Sequence, residues 1–285
     1  MPGLRAGLLA IALLFAAPPV TAAPSLAHRT LRWEGTQVHA LLVPRGFEVR
    51  PVVASPGRTV EAWARAQGAM AAINGGFFNH SDGFPVSHVR IDGEARTRPE
   101  ANQALIGNPA LRPILDRILD RRVEWRLLEG PSGPRWAIGA HLAPVRQGDR
   151  LVHALQAGPA LLPAIDLIGE GFVSRDARGR INRDGIASGA RAARSALGLT
   201  PAGDMWWVAA AGDPRAGTGL TIAQLAGLMR HLGADRAMAL DGGGSTSLVW
   251  REGPAFRSFV GTGQGPARVN SALVALPAPG GKMGP

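Results

Sequence analysis

The chain of 285 residues contains no cysteine and no tyrosine. Without cysteine no disulfide can form, so the stability of the folded protein must come from its apolar core. Aromatic residues make up only 5% of the sequence. Few rings are therefore present on which nucleic-acid bases could stack, and no known nucleic-acid-binding motif occurs, so the sequence argues against nucleic acid as a partner.

Long apolar runs are missing except at the amino terminus. There Arg5 supplies a positive charge, residues 7–17 an apolar stretch and residues 18–23 a region of small side chains, which together are typical of a secretory signal peptide. We expect a signal peptide over residues 1–22 and a protein that is periplasmic or secreted, without stable membrane insertion after cleavage. An uncleaved amphipathic anchor is the alternative, but the apolar stretch is short.

Acidic residues are the minority among the charged ones. Lys and Arg number 31 against 21 Asp and Glu, which gives a formal net charge of +10. Anions are therefore the favoured partners, and for an exported protein these are anionic glycans, phosphorylated polymers or lipid headgroups. Much of the charge is equally compatible with solvated arginine on the surface.

The length after the signal peptide suits one domain, and no low-complexity linker or internal repeat divides it. The 38 glycines and 23 prolines, set between alternating apolar stretches, predict many short strands and turns. We expect an α+β fold in which a mixed β-sheet core has flanking helices. This single domain covers residues 23–276, and a flexible tail follows over residues 277–285.

The clearest predicted helix runs over residues 222–232. Thr221 and Gln224 form a capping box before it, and Gly233 is suited to the position after its last turn. The helix joins apolar segments at residues 206–211 and 237–240. A strand–helix–strand unit of this length permits a parallel crossover.

Residues 111–128 carry apolar side chains at helix-like spacing, with arginines between them. Pro113 restricts where a helix could start, so this stretch is interpreted as an insertion whose form the sequence does not fix. Arg117, Arg121 and Arg122 fit a solvated helix face better than a binding patch.

Residues 241–247 (Asp-Gly-Gly-Gly-Ser-Thr-Ser) set one carboxylate and several hydroxyls beside three glycines. The apolar residues 237–240 predict a buried strand that delivers Asp241 at its end and the glycines in the turn. Glycines are kept where the backbone takes a positive φ or approaches a ligand closely, and successive N–H groups can form a nest that binds anions. A tight hairpin turn without a ligand is the alternative.

A second turn of the same kind follows the apolar residues 69–73. Residues 74–79 read Asn-Gly-Gly-Phe-Phe-Asn, again a polar residue and glycines directly after a predicted strand. Because both turns leave a strand in the same way, we predict that Asn74 and Asp241 lie in one pocket.

Three further segments accompany the two turns: residues 156–159 (Gln-Ala-Gly-Pro), 194–199 (Arg-Ser-Ala-Leu-Gly-Leu) and 268–274 (Arg-Val-Asn-Ser-Ala-Leu-Val). In this order the motifs resemble those of the phosphodiester glycosidase family. Family members more often have Thr at position 195, a change that keeps a hydroxyl, and a Pro-x-Gly turn near residues 85–88. The resemblance implies an exported hydrolase that cleaves a glycosyl phosphodiester, that is a sugar-1-phosphate ester bond, at the anomeric carbon.

The same resemblance implies that Asp241 and Arg194 are catalytic. A sugar phosphodiester already has a stable leaving group, so cleavage needs electrostatic help more than acid. Arg194 or Arg268 would pair with the phosphate through two hydrogen bonds, and Asp241 would act as nucleophile, as base for water or as stabiliser of an oxocarbenium-like centre. The implied substrate-binding residues are Asn74, Gly75, Gly76, Gln156, Gly242, Gly243, Gly244, Ser245, Thr246 and Arg268. Asn74 either donates to a sugar hydroxyl or only tolerates a left-handed turn.

A second carboxylate is usual in glycosidases. Asp82, Asp213 and Glu252 are the candidates near the motif segments. No cofactor is expected: His80 and His88 match no standard zinc spacing, and a hard cation at Asp241 is left open.

The expected partner is a phosphorylated or anionic glycan substrate. The rival hypothesis is a non-catalytic exported module that binds anionic cell-surface polysaccharide through the glycine turn and the positive charge. Turnover of an activated sugar phosphodiester distinguishes the two, because the enzyme releases sugar and the binding module only retains it.

Overall fold

The computed structural model describes residues 25–277. The predicted signal peptide and the predicted tail, apart from Pro277, lie outside the described residues. Within the described part, no helix is long and apolar enough to cross a lipid bilayer.

The described chain forms eighteen strands, named here in chain order. They are β1 (Ala27–Trp33), β2 (Thr36–Val43), β3 (Glu48–Arg58), β4 (Ala71–Asn74), β5 (Val89–Ile91), β6 (Glu94–Ala95), β7 (Val123–Gly130), β8 (Gly133–Ala140), β9 (Arg150–Gln156), β10 (Ala160–Leu162), β11 (Val173–Arg175), β12 (Ile181–Asp184), β13 (Arg194–Leu199), β14 (Met205–Ala210), β15 (Arg236–Ala239), β16 (Ser247–Glu252), β17 (Ala255–Val260) and β18 (Val269–Leu276). The α-helices are α1 (Val60–Ala66), α2 (Gln103–Ile106) and α3 (Ile222–His231). Single turns of 3-10 helix occur at Pro99–Ala101, Arg112–Ile114, Pro214–Ala216 and Gly243–Ser245, and a π-helical turn at Arg117–Arg121.

The strands form three large sheets and one hairpin. The orders are β1-β2-β14-β13-β15-β10, β17-β16-β4-β18-β3, β6-β5-β9-β7-β8 and β11-β12. Neighbouring strands of the described sheets pair antiparallel. The molecule is therefore mostly β-sheet with few, short helices. The expectation of a mixed sheet, with parallel as well as antiparallel neighbours, is therefore wrong. Helix α3 connects β14 to β15, but β13 lies between these two strands and pairs antiparallel with both.

The main core lies between the three large sheets. Its largest fully buried side chains include Trp125, Trp207, Leu41, Ile73 and Leu155. Each such side chain stabilises the fold by roughly 1.5–3 kcal/mol through burial alone. This apolar interior carries the stability that disulfides supply in many exported proteins.

Helix α3 forms where the sequence predicts it. The Thr221 side chain accepts from the Gln224 N–H and the Gln224 side chain from the Thr221 N–H, and Gly233 follows the helix with a φ of +81°. Its apolar face packs on the six-stranded sheet. Because β14 and β15 both pair antiparallel with β13, they run parallel to each other with β13 between them. The crossover delivers Asp241 just beyond the carboxyl end of β15.

Candidate active site

The two glycine turns meet where the six-stranded sheet abuts the sheet that contains β4. The Asn74 side-chain amide donates to the Asp241 carbonyl oxygen at 2.7 Å, and the Asp241 N–H donates to the Gly75 carbonyl at 3.0 Å. Asn74 ends β4 and Asp241 follows β15 by two positions. The structure thus brings these residues together, as their positions after apolar strands predict.

Asn74 holds this junction together from inside. Its side chain is completely buried, and its oxygen accepts from the Ser195 hydroxyl at 2.7 Å and from the Ser247 N–H at 3.1 Å. One side chain therefore ties β4 to β13, β16 and the Asp241 segment. A hydrogen bond from Asn74 to a sugar hydroxyl does not fit this burial, and the hydroxyl at position 195 has a structural partner instead.

Asp241 is half-buried and keeps some exposure to solvent. Burial raises the pKa of its carboxyl group to about 6. The Ser245 hydroxyl, the charge of His80 and the Gly242 N–H act in the opposite direction by stabilising the carboxylate. A carboxyl group that stays reachable by solvent while its pKa approaches neutrality is suited to acid–base or nucleophilic chemistry.

The glycine turn after Asp241 is not an open anion nest. The Gly242 N–H donates to the Asp241 carboxylate and the Gly243 N–H to the Ala193 carbonyl at 2.8 Å. Two of the three glycine N–H groups are therefore used within the protein. Phosphate binding by this backbone stays a prediction, but the Gly243 N–H is not free for it and the Gly242 N–H orients the Asp241 carboxylate.

Gly243 takes a φ of +57°, and a Cβ atom there would meet no heavy atom within 4 Å. We expect Gly243→Val to abolish turnover of an activated sugar phosphodiester, because a β-branched residue is strained at positive φ and disturbs the turn that holds Asp241. Gly265→Ala is the matched control, since that position is equally open, has no positive φ and lies outside the predicted site. Wild-type kcat/KM in Gly243→Val, with circular dichroism showing a folded protein, would contradict this role.

Gly75, Gly76 and Gln156 are closely packed around the first glycine turn. A Cβ atom on Gly75 would lie 2.5 Å from the Ser271 hydroxyl, and one on Gly76 would lie 2.5 Å from the Ser87 hydroxyl and collide with the Gln156 carbonyl. The buried Gln156 side chain accepts from the His88 N–H and donates to the Leu119 carbonyl. These contacts fix where the turns lie, and the predicted role of the three residues in substrate binding stays a prediction.

Arg194 is buried, and its guanidinium group donates to backbone carbonyls. The acceptors are Leu220 at 3.1 Å, Ile186 at 2.9 Å, Ala187 at 2.7 Å and Ala190 at 3.1 Å. Four of its five N–H groups are thus occupied, so the bidentate phosphate contact expected of Arg194 does not fit. Arg194 anchors the loop over residues 186–190, and its aliphatic stem lies 3.7 Å from the position of a Cβ atom on Gly242.

We therefore expect Arg194→Lys to lower the melting temperature as well as activity, because a single ammonium group cannot reach all four carbonyl oxygens that the guanidinium group contacts. A pure phosphate contact would instead lower kcat/KM at nearly unchanged stability. Arg191→Lys is the control, since the Arg191 side chain donates to only one carbonyl, that of Glu34, with a longer contact to the Thr36 hydroxyl. A melting temperature for Arg194→Lys equal to that of Arg191→Lys would contradict the anchoring role.

The other predicted residues divide between interior and surface. Ser245 is buried with its hydroxyl on Asp241, and Thr246 is completely buried. Arg268 is exposed and donates to the Gly57 carbonyl at 3.0 Å. Among these three, Arg268 alone presents charge to solvent.

The phosphodiester glycosidase family matches residues 67–276 of this chain. The chain belongs to this family. No curated protein is significantly similar in sequence.

Solved structures share the fold of this chain at low identity. The catalytic domain of zebrafish N-acetylglucosamine-1-phosphodiester alpha-N-acetylglucosaminidase, auto-inhibited by its pro-peptide, superposes with a TM-score of 0.60 at 16% identity, over 88% of this chain and 82% of that one. A protein of Burkholderia pseudomallei K96243 thought to be exported gives a TM-score of 0.62 at 18% identity, over 85% of this chain and 74% of that one. A hypothetical protein from Synechocystis gives 0.58 at 20% identity, with 91% of this chain covered. This chain spans 64% of the length of the Synechocystis protein.

The carboxylates suggested by sequence as partners of Asp241 lie on the surface. Asp82 accepts from the Phe84 N–H, Asp213 from the Arg215 N–H, and Glu252 pairs with Arg257. Each serves a local turn or an exposed ion pair. None is buried in the way that Asp241 is.

Two functional candidates were missed by sequence reasoning, Glu170 and Arg122. Glu170 is 2% exposed, and burial raises the pKa of its carboxyl group to about 7. Arg122 is 5% exposed, which corrects the prediction that it lies on a solvated helix face. The one available signal for Glu170 was a lone carboxylate between Gly169 and Gly171 in an apolar stretch.

The histidines do not assemble a metal centre within residues 25–277, where no group of three or more His, Asp or Glu side chains converges. His80 is exposed and near enough to Asp241 to affect its pKa. His88 instead stacks on His141, with ring centroids 4.0 Å apart.

Proposed function

We propose that this phosphodiester glycosidase is an exported hydrolase that cleaves a glycosyl phosphodiester at the anomeric carbon, with a phosphorylated or anionic glycan as substrate. The observation that carries the proposal is Asp241, a half-buried carboxyl group with a raised pKa at the meeting point of the two glycine turns. Family membership supports the substrate class. Export is supported by the signal-like residues 1–22 and by the description of the related Burkholderia protein.

In the proposed reaction the bond between the anomeric carbon and the phosphate oxygen breaks, and the electron pair leaves with the phosphate monoester. Water supplies the hydroxyl group that the sugar gains, and its proton is released. The leaving phosphate is stable without a proton, so one carboxylate suffices where ordinary glycoside hydrolysis uses two. Asp241 acts as nucleophile, as base for water or as stabiliser of the cationic carbon, and each of these roles requires its ionised form.

The test is sugar release from an activated sugar phosphodiester, measured across pH. Because the pKa of Asp241 is raised to about 6, the ionised form is lost as pH falls through that value. We expect log kcat/KM to fall with unit slope below about pH 6 and to level off above it, since kcat/KM reports the free enzyme. An acid limb near pH 4, the range of an ordinary carboxyl group, would contradict the assignment. Retention of the substrate without sugar release would favour the polysaccharide-binding alternative.

A further inference from the structure

Arg122 precedes β7 and is almost entirely enclosed, at 5% exposure. Its Nε–H donates to the Glu170 carbonyl oxygen at 3.3 Å. Its two terminal amino groups make no hydrogen bond to any residue within 25–277, and neither is fully sealed from solvent. Four N–H donors of a buried cation are therefore without a hydrogen bond within residues 25–277.

Two aromatic rings hold the guanidinium plane. The Arg122 Cζ atom lies 4.2 Å from the centre of the Phe172 ring and 5.3 Å from that of Phe77. The two rings are 5.6 Å apart and tilted by 54°. Such contacts stabilise the cation through the ring faces and leave the N–H edge free for a ligand.

The surroundings of Arg122 lack a free negative charge to match it. The Glu170 carboxylate attracts Arg122, but its two oxygens already accept from the Ala160 N–H at 2.7 Å and the Val123 N–H at 3.0 Å. Arg183 adds a second positive charge nearby. A buried cation without a hydrogen-bonded counter-ion is costly, so an anionic ligand at this point is favoured.

Two chains of contacts connect Arg122 with the segment that carries Asp241. Phe77, which contacts the guanidinium group, is two residues after Gly75, and the Gly75 carbonyl accepts from the Asp241 N–H. Independently, Glu170 packs against Gly158, whose N–H donates to the Ala239 carbonyl at 3.0 Å, two residues before Asp241.

We propose that Arg122 binds the phosphate group of the glycosyl phosphodiester through its two terminal amino groups. This inference rests on the proposed function. A phosphodiester presents two non-bridging oxygens that match the fork of an arginine. Arg194 uses four of its five N–H groups and the glycine turn two of its three inside the protein, whereas the terminal amino groups of Arg122 make no hydrogen bond within residues 25–277. Arg122 is thus a substrate-binding residue, and Asp241 acts on the sugar side of the same bond.

The first experiment measures binding of inorganic phosphate to the full chain by calorimetry in wild type, Arg122→Gln, Arg122→Lys and Arg121→Gln. We expect Arg122→Gln to weaken binding at least about tenfold, the effect of losing a charge-assisted contact. Arg122→Lys keeps the charge but loses the fork, so an intermediate loss is expected. Arg121→Gln is the matched control, since Arg121 is 63% exposed and pairs only with Asp116 at 3.3 Å. Equal phosphate affinity in wild type and Arg122→Gln would overturn the inference.

Kinetics separate this inference from the proposed function. Arg122→Gln should raise KM for a sugar phosphodiester and leave KM for the neutral aryl glycoside of the same sugar unchanged. If wild type and Arg122→Gln release sugar from the phosphodiester with the same KM, Arg122 does not bind the phosphate, and the proposed function is unaffected. Arg122-dependent phosphate binding without turnover of any phosphodiester would support the anion site and remove the proposed function.

A measurement on the wild-type protein covers the case in which the Arg122 variants do not fold. Crystals soaked in inorganic phosphate should show the anion within hydrogen-bond distance of both terminal nitrogens of Arg122. Phosphate bound at Arg268 with Arg122 empty would overturn the inference.

Discussion

Asp241→Asn is expected to lower kcat/KM on a sugar phosphodiester by at least about 100-fold, within the range for loss of an acid–base group. An amide of the same shape can keep the hydrogen bonds to Ser245 and Gly242 but supplies neither a nucleophile nor a negative charge. The measurement is sugar release at pH 8, where the wild-type carboxyl group is ionised. Asp213→Asn, at an exposed carboxylate that caps a turn, is the control and should retain wild-type turnover.

The same substitution is expected to stabilise the fold above pH 6. The pKa of Asp241 rises from 3.8 in the unfolded chain to about 6 in the folded protein, so ionisation in the folded state is disfavoured. Each unit of pKa is worth about 1.4 kcal/mol, which sets an upper limit of about 3 kcal/mol, reduced because the carboxylate is partly exposed. The wild-type stability associated with this group is present below pH 3.8 and is lost as pH rises through about 6.

Melting temperatures at pH 8 and pH 3.5 check the stability part of this prediction. Asp241→Asn should melt above wild type at pH 8, and the gain should shrink at pH 3.5, where the wild-type side chain is protonated as well. A variant less stable than wild type at pH 8 would contradict the raised pKa of Asp241. Turnover within threefold of wild type would show that Asp241 does not take part in the reaction.

Local patterns predicted well those features whose causes are local. The capping box before α3 and the strand before Asp241 both depend on residues within a few positions of one another. The meeting of Asn74 and Asp241 was also predictable, since two strands that end in the same kind of turn suggest one shared edge. What the pattern could not supply was the order of strands, because β14 pairs with the distant β2 and β4 lies between β16 and β18.

The roles of the arginines show most clearly where sequence reasoning stops. Arg194 lies in a recognisable motif, yet its donors are met by the carbonyls of residues 186–190 and 220, which no spacing rule connects to it. Arg122 lies in an unremarkable charged stretch, yet two phenylalanine rings and Glu170 enclose it. Whether an arginine is available to a ligand depends on what already accepts its hydrogens, and that is a property of the folded chain.

Glycine is required in the motif turns for two different physical reasons. One is a backbone conformation with positive φ, and the other is the lack of space for a side chain. Gly243 needs its positive φ, while its surroundings are open. Gly76 has no positive φ, but a Cβ atom there would lie 2.5 Å from the Ser87 hydroxyl, 2.6 Å from the Ser87 Cβ atom and against the Gln156 carbonyl oxygen. The second kind of constraint acts on the stability of the whole fold, because backbone and buried atoms must move to relieve the collision.

Gly76→Ala is therefore expected to destabilise the protein by about 3 kcal/mol or more, at the upper end of the cost of overpacking a core. The Gln156 carbonyl belongs to β9, and Ser87 is fixed by the Phe77 N–H that donates to its hydroxyl at 2.8 Å, so neither neighbour can turn aside as a flexible side chain would. Urea denaturation measures the free energy of unfolding, with Gly244→Ala as the control at an open position in the other turn. Since Gly76 adjoins Gly75, which accepts from the Asp241 N–H, whatever Gly76→Ala protein remains folded should also have reduced kcat/KM. Equal unfolding free energies for Gly76→Ala and Gly244→Ala would mean that the atoms around Gly76 move aside for a methyl group at little cost. Close packing of the two turns would then not explain how Asp241 is held in place.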